Sequence, residues 1–371
     1  MTAPFRIRAQ AAAIRFIYAL PEPIRRMLAG PPVRIDGQEL ALDAQLMNRL
    51  KDLTGSEVFA DPIESSRTRY EALGPIIGGK SIEPIAVREI IIPTEQGDIP
   101  STLYTPANVP ERSGLLVYYH GGGFSVGSRI SHDPVARYFA THAGVRVLSV
   151  EYRRAPESPF PAAVEDAMAA FEYAHRHATD LGADPARIAV GGDSAGGNLA
   201  AVTAQQAVRR GGAVPAFQLL VYPPTDISTR RRSHELFDQG VTFTDRNFQW
   251  ALANYVPPGT DLTDPRLSPL RGDVTGLPPA YIATAGFDPL RDEGEAYADT
   301  LRAGGIPVAL SRQADLAHGY LNMVGIGRRF SEAAAEAAGA LRLGLAIARE
   351  TQSSSDNTEP TCDPSAFTSA T

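Results

Sequence analysis

A largely parallel α/β sheet covered by helices is the fold class that this 371-residue sequence predicts. From about Val87 onward, short runs rich in Val, Ile, Leu and Tyr alternate with longer stretches of helical periodicity. Because parallel strands need a crossover that a helix usually supplies, this alternation favours parallel pairing. The second observation is size, since a chain of this length, 43% hydrophobic, can bury one sizeable core beside a smaller accessory part.

The strands and helices of this core follow one another in a regular order. Strand-like runs occupy residues 87–92, 102–104, 115–119, 145–150, 188–190, 217–222, 280–283 and 308–310. Helical periodicity occurs at residues 162–175, 195–209, 292–303 and 331–348. Most of the later strands are therefore followed by a helix that can cross back over the sheet.

Two segments lie outside this pattern. Residues 1–80 show helical periodicity with proline-rich breaks, and helices are expected at about 6–20 and 40–53. Residues 225–267 interrupt the strand–helix order with an arginine-rich stretch and a helix expected at 245–255. We expect these two segments to pack together beside a core of residues 81–224 and 268–350. The Ser-, Thr- and Asp-rich tail, residues 351–371, is predicted to be disordered.

Charge and cysteine content limit the partners of the chain. The formal net charge is −7 and the densest basic run is the three residues 230–232, so no nucleic-acid partner is expected. The single cysteine, Cys362, cannot form an internal disulfide, which favours a reducing cytoplasm. No His-Glu-x-x-His or paired-cysteine spacing occurs, so no metal is expected. The sequence leaves the oligomeric state open, a homodimer included.

The amino-terminal helix carries arginines between short apolar stretches. These stretches, such as residues 11–14, are too interrupted for a signal-peptide core or a membrane span. An amphipathic helix of this kind can bind a membrane surface, but covering an apolar cleft of its own protein is the more frequent use. We therefore expect no integral membrane span and a helix that packs on its own chain.

The segment Gly-Gly-Asp-Ser-Ala-Gly-Gly at residues 191–197 contains the G-x-S-x-G pattern of a nucleophilic serine. It lies directly between a predicted strand and a predicted helix, as the pattern requires. So sharp a turn brings the residues around Ser194 close together, and Gly192 and Gly196 leave out side chains that would collide. A phosphate-binding loop would have Lys-Ser or Lys-Thr after its last glycine, whereas Asn198 follows here.

A second glycine-rich segment, His-Gly-Gly-Gly at residues 120–123, follows the strand at 115–119. It matches the loop that supplies oxyanion N–H groups in lipases and esterases. Acyl transfer needs such donors because its tetrahedral intermediate carries a full negative charge on the former carbonyl oxygen. His120 is expected to brace the loop. The candidate oxyanion donors are Gly121, Gly122, Gly123 and, at the start of the helix after the serine, Ala195.

The base must follow Ser194, because α/β hydrolytic enzymes with this serine turn place the triad in the order Ser, acid, His. Of the seven histidines, only His234 and His318 qualify. His234 lies beside the arginine run, whereas His318 lies in a loop after a strand, where loops reach the active face. His318 is therefore the predicted base. Two of the other histidines, His132 and His142, are interpreted as loop or surface residues.

Asp288 is the predicted acid, since it comes just after the strand at 280–283 and a strand end is well placed to face His318. Its alternative role is to cap the following helix, with Pro289 at the first helical position. The weaker alternatives, which the sequence alone leaves open, are Asp292, Glu293 and Asp315. Aromatic candidates for the wall of an acyl pocket, each equally well explained by core packing, are Phe124, Tyr222, Phe287 and Tyr320.

Taken together, these motifs resemble those of the hormone-sensitive-lipase-like esterases, the bacterial family IV of lipolytic enzymes. The segments that carry the resemblance, which extends over roughly residues 80 to 345, are 120–123, 192–197, Tyr-Arg-Arg-Ala-Pro-Glu at 152–157, Asp-Pro-Leu-Arg-Asp at 288–292 and His-Gly-Tyr at 318–320. The sequence departs from the family at Arg154, where leucine is usual, and at Tyr320, where phenylalanine is frequent.

The resemblance implies an α/β-hydrolase fold with an eight-stranded, mostly parallel sheet and a helical cap made of residues 1–80 and the insertion 225–267. It implies that Gly122, Gly123 and Ala195 supply the oxyanion N–H groups. Family members mostly hydrolyse short- to medium-chain acyl esters without a cofactor, so a carboxylesterase with a small-molecule ester substrate is expected.

The expected mechanism passes through an acyl-enzyme. His318 removes the Ser194 proton during attack on the ester carbonyl, and water activated by the same histidine then hydrolyses the acyl group. Asp288 holds the imidazole tautomer. An amide or carbamate hydrolase would use the same triad. A ligand-binding protein on this fold is a remote alternative, because related receptors lack the triad histidine that is present here.

Overall fold

The computed structural model describes residues 5–55, 57–79 and 81–356. Its strands, β1 to β10 in chain order, are Arg34–Ile35, Gln38–Glu39, Ile85–Ile92, Ile99–Pro106, Ser113–Tyr119, Arg146–Val150, Ala183–Asp193, Phe217–Val221, Ala280–Phe287 and Val308–Ala317. Its α-helices, α1 to α11, are Phe5–Ala19, Glu22–Ala29, Leu42–Thr54, Ile63–Ile77, Asp133–Phe139, Ala162–Arg176, Ala195–Arg210, Arg232–Leu236, Asp245–Tyr255, Arg291–Ala303 and Arg328–Asp356.

The main sheet has eight strands in the order β10-β9-β8-β7-β5-β6-β4-β3. The strands from β5 to β10 pair in parallel, whereas β4 pairs antiparallel with both β3 and β6. This confirms the predicted α/β-hydrolase fold with a mostly parallel eight-stranded sheet. Every strand predicted from the sequence corresponds to one of these eight strands, with ends that differ by up to seven residues.

The centre of the sheet is buried on both faces. Along β5, Leu116 and Tyr118 belong to one apolar cluster with α5 and α11, whereas Leu115, Val117 and Tyr119 belong to another with α6 and α7. Alternate side chains of a strand point to opposite faces, so a strand covered by helices on both sides must be apolar throughout. The unbroken run of hydrophobic residues in β5 has this cause.

The carboxyl ends of the central strands meet at one edge of the sheet, which positions the site. Ser194 follows β7, and Asp288 and His318 follow β9 and β10. Phe287 pairs with Ala317, so Asp288 and His318 leave neighbouring strands at the same level. Strands in a sheet lie about 4.8 Å apart, so residues that follow paired positions are within side-chain reach of each other. Parallel pairing thereby brings together residues more than one hundred positions apart in sequence.

The amino-terminal segment contains more regular structure than the sequence predicts. Helices α1 and α3 agree with the expected helices at 6–20 and 40–53, but α2, α4 and the short hairpin β1–β2 were not predicted. Helix α2 begins between Pro21 and Pro23, which the sequence pattern treats as a break. Proline is tolerated in the first turn of a helix, where its missing N–H would have no partner, and this is where Pro23 stands.

The amino-terminal segment contacts the insertion at residues 225–267. Helix α3 bonds to the loop before α9, with the Asn48 side chain donating to the Gly240 carbonyl over 3.1 Å. The side chain of Trp250 in α9 donates to Asp61 over 3.2 Å. Arg232 pairs with Asp36 at 2.8 Å, and the other two members of the arginine run also pair with carboxylates.

The last helix ends later in the chain than the sequence predicts. Helix α11 extends through Asp356, which is six residues into the segment from Thr351 that was predicted to be disordered. The remainder of that predicted tail, residues 357–371 with Cys362, lies outside the described residues. Among the described helices, none is long and apolar enough to cross a membrane.

Candidate active site

Three buried side chains form a hydrogen-bonded chain at the carboxyl edge of the sheet. The Ser194 hydroxyl lies 2.8 Å from His318 Nε2, and His318 Nδ1 lies 2.7 Å from Asp288 Oδ2. Since a carboxylate only accepts hydrogen bonds, Nδ1 carries the proton and Nε2 is free to accept one from the serine. This is the geometry in which an imidazole can act as a base toward a serine hydroxyl.

Ser194 stands on a strained turn between β7 and α7. Its backbone has φ 55° and ψ −123°, a conformation that residues with a side chain rarely adopt. A Cβ atom on Gly196 would lie 1.9 Å from the Tyr119 carbonyl oxygen, and one on Gly192 would lie 2.3 Å from the same atom. Only glycine therefore permits the close approach of β5 and α7 that this turn requires.

The glycine loop after β5 presents two backbone N–H groups without acceptors. Among the described residues, the N–H groups of Gly122 and Gly123 have no hydrogen-bond partner. Ala195 is the first residue of α7, where an N–H has no acceptor within the helix. Gly122 and Gly123 have φ values of 121° and 57°, which glycine adopts readily. These three groups are available to bind a negatively charged oxygen.

The N–H of Gly121, one of the candidate oxyanion donors, is not free. Its N–H donates to Asp193 Oδ1 over 3.0 Å, so the group is already engaged in holding the loop. A Cβ atom on Gly121 would lie 2.5 Å from Asp193 Oδ2, which shows how closely the loop approaches this carboxylate. The run of three glycines by itself does not distinguish among them, whereas the family resemblance implies only Gly122 and Gly123 as donors.

Asp193, the residue before the nucleophile, is a buried carboxylate that braces the glycine loop. It accepts from the Tyr118 hydroxyl at 2.5 Å and from the Asn322 amide at 3.2 Å, besides Gly121. Burial alone would raise the pKa of Asp193, but nearby His132 and the Tyr118 hydroxyl favour its charged form and hold the pKa at about 2. The carboxylate therefore stays ionised at neutral pH.

The lowered pKa of Asp193 predicts a loss of stability in acid. A carboxyl group whose pKa is lower in the folded than in the unfolded state stabilises the fold above its unfolded pKa of about 3.9, and this contribution is lost as pH falls through the folded value. A shift from 3.8 to about 2 corresponds to about 2 kcal/mol. We expect Asp193→Asn to lower the free energy of unfolding at pH 7 and to flatten its decline between pH 4 and pH 2.

Urea unfolding of wild type and Asp193→Asn across this pH range measures the effect. Asp299→Asn, at an exposed position on α10, is the matched control and should keep the wild-type slope. Equal slopes in wild type and Asp193→Asn would show that Asp193 does not carry this contribution.

The alternative acids have other partners. Asp292 accepts from the Ser233 backbone N–H and pairs with Arg291, and Asp315 pairs with Arg329. Glu293 is buried and accepts from the Thr225 N–H, and burial raises its pKa well above the usual value. Asp288 also accepts from the Leu290 N–H with its other oxygen, but helix α10 begins at Arg291 with Leu290 as its N-cap, so the alternative that Asp288 caps this helix with Pro289 at the first position is wrong.

Two histidines near the glycine loop, His132 and His120, are buried. His132 was interpreted as a loop or surface residue; it lies in the turn before α5, but the surface interpretation is wrong, because its side chain is fully buried with Nε2 3.5 Å from Asp193 Oδ1. His120 lies under the glycine loop, its ring stacked on Tyr152 at 4.2 Å and its Nδ1 2.8 Å from the Gly121 carbonyl oxygen. Burial lowers the pKa of His120 well below its usual value, so the ring is neutral.

The four aromatic candidates for the pocket wall are all buried, but they differ in position. Tyr222 contacts the His318 ring, with centroids 4.5 Å apart, and Tyr320 packs edge-on against Tyr222 at 5.0 Å. Phe124 stacks on Tyr255 at 3.9 Å, and Phe287 packs on another phenylalanine, Phe237. The structure thus brings Tyr222 to the triad, whereas Phe124 and Phe287 have core-type contacts.

Residues that the sequence analysis missed cover the site from the other side. Phe243, in the loop before α9, stacks on the His318 ring with centroids 4.3 Å apart. Ala251 of α9 and Phe59 face Gly123, since a Cβ atom added there would lie 2.6 Å from the Ala251 Cβ and 3.6 Å from the Phe59 ring. These residues carry no motif, and their distance along the chain from Ser194 hides their position.

No group of three or more His, Cys, Asp or Glu side chains in the described part of the chain could hold a metal ion. The candidate site consists of a serine, an imidazole, a carboxylate and backbone donors.

Comparison with known proteins identifies the family. Residues 116–322, more than half of the chain, match a protein family of the alpha/beta hydrolase fold. The chain belongs to this family, and the resemblance to hormone-sensitive-lipase-like esterases is confirmed.

Curated relatives and solved structures agree with this assignment. The chain is 44% identical to the carboxylic ester hydrolase LipN of Mycobacterium tuberculosis over 88% of its own length and 89% of that protein. It is 38% identical to an ethyl acetate hydrolase of Pseudomonas putida, over 70% and 83% of the two chains. A solved ester-hydrolase from the Lake Arreo metagenome, EH1AB1, has a TM-score of 0.80 and 37% identity, covering 83% of this chain and 99% of that one.

Proposed function

We propose that this protein is a carboxylic ester hydrolase that cleaves short- to medium-chain acyl esters through an acyl-enzyme on Ser194. The observation that carries the proposal is the chain of hydrogen bonds from Ser194 through His318 to Asp288. The esterase names of relatives at 38–44% identity support the reaction class. No cofactor takes part in this chemistry, because the serine supplies the nucleophile and the histidine moves the proton.

The reaction begins with attack by Ser194 Oγ on the ester carbonyl. His318 Nε2 takes the serine proton, and the Asp288 carboxylate stabilises the imidazolium that forms. The carbonyl oxygen becomes an oxyanion that accepts from the N–H groups of Gly122, Gly123 and Ala195. The proton then passes from His318 to the departing alcohol. Water, activated by the same imidazole, hydrolyses the acyl group and restores the serine.

We further propose that residues 1–80 and 225–267 form a cap over a catalytic domain of residues 81–224 and 268–350. The support lies in contacts between these two segments and in the approach of Ala251 and Phe59 to Gly123. A cover so close to the oxyanion loop leaves little room beside it, which favours compact acyl groups.

A labelling and turnover experiment on the wild-type enzyme tests the proposal. A fluorophosphonate probe followed by peptide mapping should place the label on Ser194. Turnover of p-nitrophenyl esters should be highest with acetyl to octanoyl groups and fall for palmitoyl, and p-nitrobutyranilide, the amide counterpart of the butyrate, should be cleaved more slowly than the ester. An unlabelled and inactive enzyme would refute the proposal, and faster cleavage of the anilide would assign an amide hydrolase instead.

We propose a cytoplasmic location, supported by the single cysteine in the chain, which excludes an internal disulfide. Fractionation of the native host with an antibody tests it, and recovery outside the cytoplasm would contradict it. Light scattering of the purified protein distinguishes a monomer from a homodimer.

A further inference from the structure

The imidazole of His318 is covered by an aromatic ring from the insertion. The rings of Phe243 and His318 lie with centroids 4.3 Å apart and planes inclined by 23°, which is a stacked arrangement. Phe243 is 5% exposed, and Thr242 Oγ1 lies 3.5 Å from the His318 carbonyl oxygen. The residue therefore contacts the proposed base directly, although it lies 75 positions before it in the sequence.

Phe243 is held in this place by the amino-terminal segment. Lys51 Nζ lies 3.4 Å from the carbonyl oxygens of both Val241 and Thr242, just before the ring. Phe59 packs edge-on against Phe243, with centroids 5.2 Å apart and an angle of 76°. The amino-terminal segment and the insertion, which the first part of the catalytic domain separates in sequence, thus meet at one ring on the imidazole.

The surroundings of His318 define what this ring can do. Nδ1 faces the Asp288 carboxylate and Nε2 faces the Ser194 hydroxyl, so both nitrogens are occupied. Tyr222 contacts the imidazole at a tilt of 51°, and its hydroxyl lies 3.4 Å from the Asp193 carboxylate. The hydrogen bonds constrain the imidazole within its plane, whereas Phe243 packs against a face of the ring.

We propose that Phe243 is a positioning residue for the base, so that the insertion completes the catalytic apparatus. The inference rests on the proposed function of His318. The phenyl face keeps the imidazole aligned between Ser194 and Asp288, and its negative face favours the imidazolium that forms as the serine attacks. Lys51 and Phe59 hold the insertion in place, and they thereby determine whether His318 is aligned to act as a base.

Replacing Phe243 by leucine tests this role, because leucine keeps an apolar cover but has no aromatic face. We expect the rate of Ser194 phosphorylation by diethyl p-nitrophenyl phosphate to fall roughly 3- to 30-fold. The value of kcat/KM should fall by the same factor for acetate, butyrate and octanoate esters. The acid limb of the kcat/KM profile should move to lower pH, since the protonated imidazole loses a favourable contact.

Phe243→Tyr retains the ring and should restore both the rate and the pH profile. Phe248→Leu is the matched control, because Phe248 belongs to the same apolar cluster but its ring faces His234, with centroids 5.9 Å apart. This variant should keep the wild-type phosphorylation rate. Thermal unfolding of all three variants distinguishes a loss of the folded structure from a loss of alignment of the His318 imidazole.

The outcomes distinguish the inference from the function on which it rests. If wild type is phosphorylated on Ser194 but Phe243→Leu reacts at the wild-type rate, the positioning role is refuted and the function stands. A loss that grows with acyl length, with unchanged phosphorylation, would also refute it and make Phe243 a wall of the acyl pocket. A wild type that neither reacts nor turns over esters refutes the proposed function itself.

Discussion

Replacing Ser194 by alanine is expected to lower kcat for p-nitrophenyl butyrate by roughly 10⁵- to 10⁶-fold. The change removes Ser194 Oγ, the atom that lies 2.8 Å from His318 Nε2 and that this nitrogen activates. Loss of one triad member removes nearly the whole rate enhancement of the triad. The residual rate reflects binding and the oxyanion donors, which remain. Steady-state hydrolysis with exhaustive controls for contaminating esterase measures the effect.

The variant should keep its fold, because alanine occupies less space than serine on the same turn. Its circular dichroism spectrum and melting temperature should match those of wild type, and the fluorophosphonate label should be lost. Ser331→Ala, a surface exchange of the same kind at the start of α11, should retain full activity and labelling. Labelling of Ser194→Ala at another serine, with activity retained, would assign the nucleophile elsewhere.

Replacing Asp288 by asparagine is expected to lower kcat about 10⁴-fold with little change in fold. The asparagine amide can donate to Nδ1 and so favours the tautomer with its proton on Nε2, which then cannot accept the serine proton. Asparagine also lacks the negative charge that stabilises the imidazolium. Asparagine has nearly the same shape as aspartate. Its single side-chain oxygen can therefore still accept from the Leu290 N–H, as Asp288 Oδ1 does.

The rival acids serve as matched controls for Asp288. Asp292→Asn and Asp315→Asn should each retain kcat within a few-fold of wild type, because these carboxylates bind Ser233 and Arg329 instead. Both variants are measured with p-nitrophenyl butyrate beside Asp288→Asn, together with urea unfolding. Wild-type activity in Asp288→Asn, with the large loss in one of the others, would move the acid to that residue.

The local part of the site could be predicted from the sequence because its reasons are local. A Cβ atom on Gly192 would lie 2.5 Å from the Gly196 carbonyl carbon, a collision between two residues only four positions apart on the turn around Ser194. The position of His318 followed from chain order and from its place after a strand. In each case a few neighbouring residues carry the geometric constraint, so a short motif records it.

Other parts of the site could not be predicted, because their reasons lie far apart in the chain. Whether the Gly121 N–H is free depends on Asp193, whose carboxylate accepts a hydrogen bond from it. The burial of His132 depends on contacts from several separate elements. No pattern around it distinguishes a buried histidine from an exposed one.

The sequence by itself determined the parallel α/β core, the serine turn, the glycine loop and the order of the residues predicted to form the triad. These follow from hydrophobic periodicity and from steric limits on a few adjacent residues. Only the tertiary structure decided that Asp288 rather than Asp292, Glu293 or Asp315 lies beside His318, and that Phe243 covers the imidazole. Such contacts join segments tens to hundreds of residues apart, and their distances depend on the pairing of strands and the docking of the insertion, which no local pattern encodes.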